Sequence, residues 1–263
     1  MPTPRLKPYE VTERVFLVGA GVWNDCIGVT EGGSSTTYLI DGGGELALVD
    51  CGYRYAVNQL FENVRTLGFD PKKISTVLLT HAHYDHTDGL PELAAALPQA
   101  QIHAHPITIE TLATNGGIYV PEFKPGDFRP FHVKHVLKEG DTVRVGTRVL
   151  RVIETPGHTP DGLCFMMKTD SGLVCLSGDT AIGDQNCAKG VVGWIEAHWG
   201  SRLSHFQTSL QRLNAEPIVA LLGGHGTASV GREKAATSLK NCLWRVEQLM
   251  AIPGLETMMP VRI

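Results

Sequence analysis

Thr80-His81-Ala82-His83-Tyr84-Asp85-His86 gathers three imidazoles and one carboxylate within six residues. The stretch follows Ile74-Ser75-Thr76-Val77-Leu78-Leu79-Thr80, a short apolar, β-branched run that reads as a buried strand. In extended chain His81 and His83 project to the same side. The chain then turns, and Asp85 and His86 open the next element. Neutral imidazole and carboxylate are donors that zinc, iron and manganese accept. A single histidine here would read as a solvated surface group. Four donors in this pattern at a strand end read as a metal site, and a contiguous group of this kind can feed two metals.

Composition narrows the class. The 263 residues suffice for one large domain or two small ones, and 43% hydrophobic with 19% charged residues is ordinary for a globular protein. The net charge of −4 and the absence of any Lys/Arg run leave no electrostatic footprint for nucleic acid. Six scattered cysteines, none in a Cys-x-x-Cys pair, read as free thiols of a reducing compartment. The leading Met1-Pro2-Thr3-Pro4-Arg5-Leu6-Lys7-Pro8 has no apolar core of signal-peptide length, and no run approaches a membrane span. The expectation is a cytoplasmic protein acting on a small molecule, with no nucleic-acid or membrane partner and a homodimer as a candidate assembly.

Patterning along the chain predicts an extended lead-in over 1–14 and strands over 15–18, 35–40 and 45–50, with Asp41-Gly42-Gly43-Gly44 as a tight turn. Helical spacing marks 55–67, 88–97 and 106–114, and a further strand falls at 100–105. Strands follow at 136–137, 142–145, 149–153, 163–167, 173–177 and 218–222, with helices over 202–213 and 232–250. The order, strands then helix twice over, suggests two similar halves packed together. Residues 115–135 carry Tyr119, Phe123, Phe128 and Phe131 among glycines and prolines. They read either as a packed aromatic loop over the active site or as a satellite core. His103 and His105 repeat the alternation of the first cluster, but no carboxylate joins them, and they are expected not to bind metal.

Three later strands end in Gly-flanked donors: Pro156-Gly157-His158-Thr159, Ser177-Gly178-Asp179-Thr180 and Gly223-Gly224-His225-Gly226. Together with His81-x-His83-x-Asp85-His86, these motifs resemble the metallo-β-lactamase superfamily in identity and order, from about residue 15 to 230. The resemblance implies one α/β domain over 1–263, a four-layer αββα sandwich of mixed sheets, with the aromatic insertion at about 115–135. It implies that His81, His83 and His158 hold one metal, that Asp85, His86 and His225 hold the other, and that Asp179 bridges them. Two divalent ions are implied, zinc first, with iron or manganese as alternatives. The Leu-Val-Asp-Cys-Gly ending resembles the family's strand that carries an Asp beneath the metals. Asp50 then either accepts a hydrogen bond from a ligand histidine or merely caps a turn.

The family includes β-lactamases, lactonases, glyoxalase II thioesterases, sulfatases and nucleases. The implied reaction is hydrolysis of an ester-like bond by a metal-bridging hydroxide, with Asp85 orienting it or passing its proton on. A lactone or thioester is favoured and a β-lactam is a further candidate. Asp rather than Cys at 179 departs from the β-lactamase branch with a thiolate ligand. About 38 residues follow His225, which leaves little for the glutathione-binding domain of a glyoxalase II. The lactonases place a Tyr just beyond the bridging Asp, and Thr180-Ala181-Ile182-Gly183 offers none. Trp194 and His198 are candidate substrate contacts, His198 as an outer-sphere proton donor and Trp194 with a core role as its alternative. Two other functions stay open: a mononuclear iron dioxygenase acting on persulfides, and a non-catalytic binding protein on the same scaffold.

Overall fold

The structure is a computed structural model that describes residues 6–20, 34–114, 128–183 and 190–255. β1 (Tyr9–Thr12), β2 (Val15–Gly19), β3 (Thr37–Asp41), β4 (Leu46–Val49), β5 (Ile74–Leu78), β6 (Gln101–Ala104) and β7 (His135–Val136) lie side by side in that order. The first four are antiparallel, and β4 through β7 run parallel. A second sheet holds β8 (Thr142–Val145), β9 (Arg148–Glu154), β10 (Leu163–Thr169), β11 (Gly172–Gly178), β12 (Ile218–Gly223) and β13 (Ser229–Val230), in the spatial order β13-β12-β11-β10-β9-β8. There β11 and β12 pair in parallel and the other neighbours are antiparallel.

Alternation along the strands sorts side chains into three apolar layers. Tyr38, Ile40, Val49 and Leu78 of the first sheet meet Val152, Phe165, Leu176 and Leu222 of the second between the sheets. The residues one step along, Leu39, Leu48 and Val77, face outward. They are covered by α1 (Val57–Thr66), α3 (Leu90–Ala96) and α4 (Pro106–Thr114) through Leu60, Val64, Leu93 and Leu112. On the far side Cys164, Met166, Cys175 and Leu221 lie under α5 (Leu203–Asn214) and α6 (Arg232–Met250), whose Phe206, Leu210, Leu239 and Val246 form the stripe. The molecule is a four-layer αββα sandwich of mixed sheets. Each fully buried Leu or Phe contributes roughly 1.5–3 kcal/mol by its removal from water.

Several boundaries differ from the sequence reading. Tyr9–Thr12 is not a mere lead-in but an edge strand on β2, half exposed and therefore without an apolar pattern to betray it. β13 is shorter still, with two residues. The strand before the histidine cluster stops at Leu78, two residues early, because Thr80 turns its amide to a side chain instead of a neighbouring strand. Phe128 and Phe131 join the helix-side core of the first sheet; Tyr119 and Phe123 lie outside the described residues. Cys51, Cys164, Cys175 and Cys242 are buried free thiols; Cys26 and Cys187 lie outside the described residues. Among the described residues no helix is long and apolar enough to cross a membrane.

Candidate metal centre

Strand direction gathers the donors. β9, β11 and β12 run the same way, so the turns that follow them emerge at one edge of the second sheet, and the turn after β5 meets them from the first. The loop after β5 carries His81 and His83, and the one-turn helix α2 (Tyr84–Thr87) carries Asp85 and His86. His158 sits in the turn after β9, closed by Thr155 N–H donating to Gly162 O at 2.8 Å. Asp179 follows β11 and His225 follows β12; Gly224 N–H donates to Gly178 O at 2.7 Å and ties these two ends together. Gly224 has no substitute here, because a Cβ would lie 2.3 Å from Asp179 Oδ1 and 2.7 Å from His86 Cε1.

The structure brings together all seven residues that sequence named. His81, His83 and His158 present ligand-type atoms within 4.8 Å of one another, as do Asp85, His86 and His225, and also His81, His86 and Asp179. His158 Nε2 is 2.9 Å from His83 Nδ1. His225 Nε2 is 3.0 Å from Asp85 Oδ2. Asp179 stands between the groups: its Oδ2 is 3.5 Å from both His158 Nε2 and His225 Nε2, and its Oδ1 is 3.5 Å from His86 Nε2.

Hydrogen bonds behind the rings fix which nitrogen faces the centre. Asp50 Oδ1 accepts from Thr80 N–H, and Oδ2 accepts from the Thr80 hydroxyl and from His86 Nδ1–H, all at 2.8 Å. Thr80 has then spent its one proton, so its oxygen accepts from His81 Nδ1–H at 3.0 Å. Trp194 O accepts from His158 Nδ1–H at 2.6 Å. His81, His86 and His158 therefore all turn Nε2 inward as the lone-pair nitrogen. His81 Nε2 is fully buried with no hydrogen-bond partner, an expensive arrangement unless a cation accepts its electrons. Asp50 itself is buried and adopts φ +60, a left-handed conformation uncommon outside glycine.

Electrostatics divides the centre. Burial, reinforced by neighbouring imidazoles, holds the pKa of His81 and His83 well below the ordinary value, and burial lowers that of His158. Burial acts against the charged form of His86 as well, yet Asp85, Asp179 and Asp50 drive its pKa well up. His225 is raised in the same way by Asp179 and Asp85. Asp85 and Asp179 resist the upward push of burial and stay low, Asp85 through His86 and His225, Asp179 through His225, His86 and His158. The residues thus demand positive charge beside Asp85 and Asp179 and lone-pair acceptance beside His81, His83 and His158. Divalent cations meet both demands, and the donor set fits them.

Sequence reasoning passed over two neighbours, Thr80 and Asp161. Thr80 was visible only as a strand end. Asp161 is fully buried; its Oδ2 accepts from Ala82 N–H at 2.9 Å and from the Thr108 hydroxyl at 2.7 Å, latching the His81–His83 loop to the turn after β9. Trp199 is buried with its ring 4.8 Å from that of His83. Of the two candidates in this segment, Trp194 contributes its backbone carbonyl to His158. His198 is half exposed, with Nδ1 2.9 Å from Glu196 Oε1 and its ring 5.4 Å from Trp199, outside the cluster. His103 stacks on His135, and His105 faces Glu154, away from the centre.

A family model described as the metallo-beta-lactamase superfamily matches residues 30–219. The chain is 30% identical to the atrochrysone carboxyl ACP thioesterase of Aspergillus fumigatus, over 57% of this chain and 40% of that protein. It is 35% identical to the hydroxyacylglutathione hydrolase of Hydrogenovibrio crunogenus, over 51% and 38%. It is 26% identical to a probable polyketide biosynthesis zinc-dependent hydrolase of Bacillus velezensis, over 80% and 81%. The match thus spans about two fifths of the length of the first two relatives. Among solved structures, the subclass B3 metallo-beta-lactamase BJP-1 of Bradyrhizobium japonicum superposes with a TM-score of 0.71 at 22% identity, over 94% of each chain. That likeness is one of fold.

Proposed function

The chain belongs to the metallo-β-lactamase superfamily, and on that premise we propose that it is a hydrolase holding two divalent cations, zinc foremost. His81, His83 and His158 would hold one, Asp85, His86 and His225 the other, with Asp179 shared. Iron or manganese suits the same donors. The bond cleaved is ester-like. A thioester comes first, since one relative is named a thioesterase; a lactone comes second. The observation that carries this reading is the inward Nε2 of His81, His86 and His158, each fixed by a partner behind the ring.

When bound, two such cations lower the pKa of a water to roughly 7 and polarise the carbonyl under attack. The chain's own groups do the rest. Asp85, kept ionised by His86 and His225, accepts a proton on its carboxylate and passes it to the leaving group. Asp50 and Thr80 hold His86 and His81 against rotation. Trp199 closes the flank beside His83 to water. His198 pairs with Glu196 and packs on Trp199, and no step is assigned to it.

Elemental analysis of the purified protein, followed by a panel of thioesters, lactones, β-lactams and phosphodiesters, tests the proposal. About two zinc-like ions per chain and turnover of a thioester or lactone are expected, and His83→Ala should remove both. Intact turnover in His83→Ala overturns the assignment. One iron per chain with oxygen consumed on a persulfide would point to the dioxygenase instead.

A further inference from the structure

The seven clustered residues are not equally covered. His86 is fully buried, and the side chains of His158, Asp179 and His225 are at most 8% exposed, whereas that of Asp85 is 23% exposed. Among the described residues the centre is thus least covered on the Asp85 side. Three tyrosines cluster near that residue. Tyr84 directly precedes Asp85 on α2. The Tyr53 ring lies 4.7 Å from that of Tyr84, and Tyr55 stacks on Tyr53 at 5.1 Å with 26° between the planes. Burial and then the charge of Asp85 push the Tyr53 phenol up, so this ring stands within the field of that carboxylate.

The backbone that carries the three rings is held in place. Tyr53 N–H donates to Ser34 Oγ at 3.1 Å, and Ser35 N–H donates to Asp85 O at 3.2 Å, which joins the loop after β4 to α2. Arg54 Nε donates to both oxygens of Asp88 at 2.9 Å. Tyr55, stacked on Tyr53, is 49% exposed. A fixed aromatic stack that begins beside Asp85 and ends in half-exposed ring surface matches a flat, unsaturated group better than a flexible chain. Offset stacking adds to simple area burial, and a rigid ring loses little freedom on ordering.

We propose that Tyr53, Tyr55 and Tyr84 form a substrate shelf that selects a planar aromatic acyl group and aims its carbonyl at the metal centre. The proposal rests on the hydrolase reading and adds the substrate class to it. The test uses the metal-loaded full chain with the phenylacetyl and hexanoyl thioesters of N-acetylcysteamine. The wild type should favour the aryl substrate in kcat/KM. Tyr55→Ala should lower the aryl-to-alkyl ratio by about 3- to 10-fold, mainly through KM. Tyr55→Phe should keep the ratio, and so should Trp244→Ala, which removes an exposed aromatic from α6. An equal effect of Tyr55→Ala on both substrates, or none, overturns the shelf. If neither thioester is hydrolysed, the hydrolase reading fails separately. Calorimetric titration of phenylacetate against hexanoate then reads the shelf, and equal affinities in wild type and Tyr55→Ala overturn it.

Discussion

Asp50 Oδ2 lies 2.8 Å from His86 Nδ1, although 36 residues separate the two in the chain. Both are buried, and the contact fixes His86 with Nε2 toward Asp85 and Asp179. Asp50→Asn keeps the shape and tolerates the left-handed backbone, but its single acceptor oxygen cannot serve both Thr80 N–H and His86 Nδ1–H, as the two carboxylate oxygens do. Metal affinity is expected to fall about 10- to 100-fold, read by competition with a chromogenic chelator. Equal affinity in both proteins would remove Asp50 from the centre's support.

Thr80→Val isolates the relay between Asp50 and His81. It leaves the buried His81 Nδ1–H without an acceptor and removes one of the two hydrogen bonds to Asp50 Oδ2, without changing volume. The expected loss is about 1–3 kcal/mol of folding stability, measured by denaturant unfolding. Thr80→Ser restores the hydroxyl and should recover most of it.

Gly224→Ala adds one methyl group against Asp179 and His86. Both neighbours are buried, and His86 is pinned by Asp50, so neither can swing aside cheaply. The variant should fold, as judged by circular dichroism, and bind well below two ions per chain. Full metal occupancy in Gly224→Ala would mean that the centre is looser than its geometry indicates.

The His103–His135 stack supplies a pH test outside the cluster of seven. Burial and then the charge of His135 hold His103 at a pKa of about 4, against about 6.5 in an unfolded chain. Between these values the unfolded chain binds the proton more readily. This group's contribution is therefore fully present above about pH 6.5 and is lost as the pH falls toward 4. Melting temperatures taken from pH 7 down to pH 4.5 should drop less in His103→Gln than in the wild type. Parallel curves would refute the depressed value.

Much of the architecture was legible because strands bury alternate residues. Leu39 and Ile40, adjacent in sequence, belong to two different cores, and this period separated strands from helices. α4 and α6 begin and end where the pattern put them, at 106–114 and 232–250. The cluster of seven was legible because each distant donor stands at the end of an apolar run beside a glycine. The supporting contacts were not. Asp161 touches Ala82 across 79 residues, and no spacing rule signals a carboxylate that serves a backbone amide from another sheet. The choice between capping and support at Asp50 was left open for the same reason. Phe128 and Phe131 were read as lid or core alike, because an aromatic residue in a Pro/Gly-punctuated stretch carries no period to say which side it faces.

The donors are drawn from both halves of the sandwich: His81, His83, Asp85 and His86 hang from the first sheet, and His158, Asp179 and His225 from the second. An ion held by donors from both sheets would act as a rivet through the molecule, since the sheets could not slide or part without surrendering bonds to it. Endurance against heat and proteases would then come from the same contacts as chemistry, and stripping the rivet would loosen strands far from any substrate.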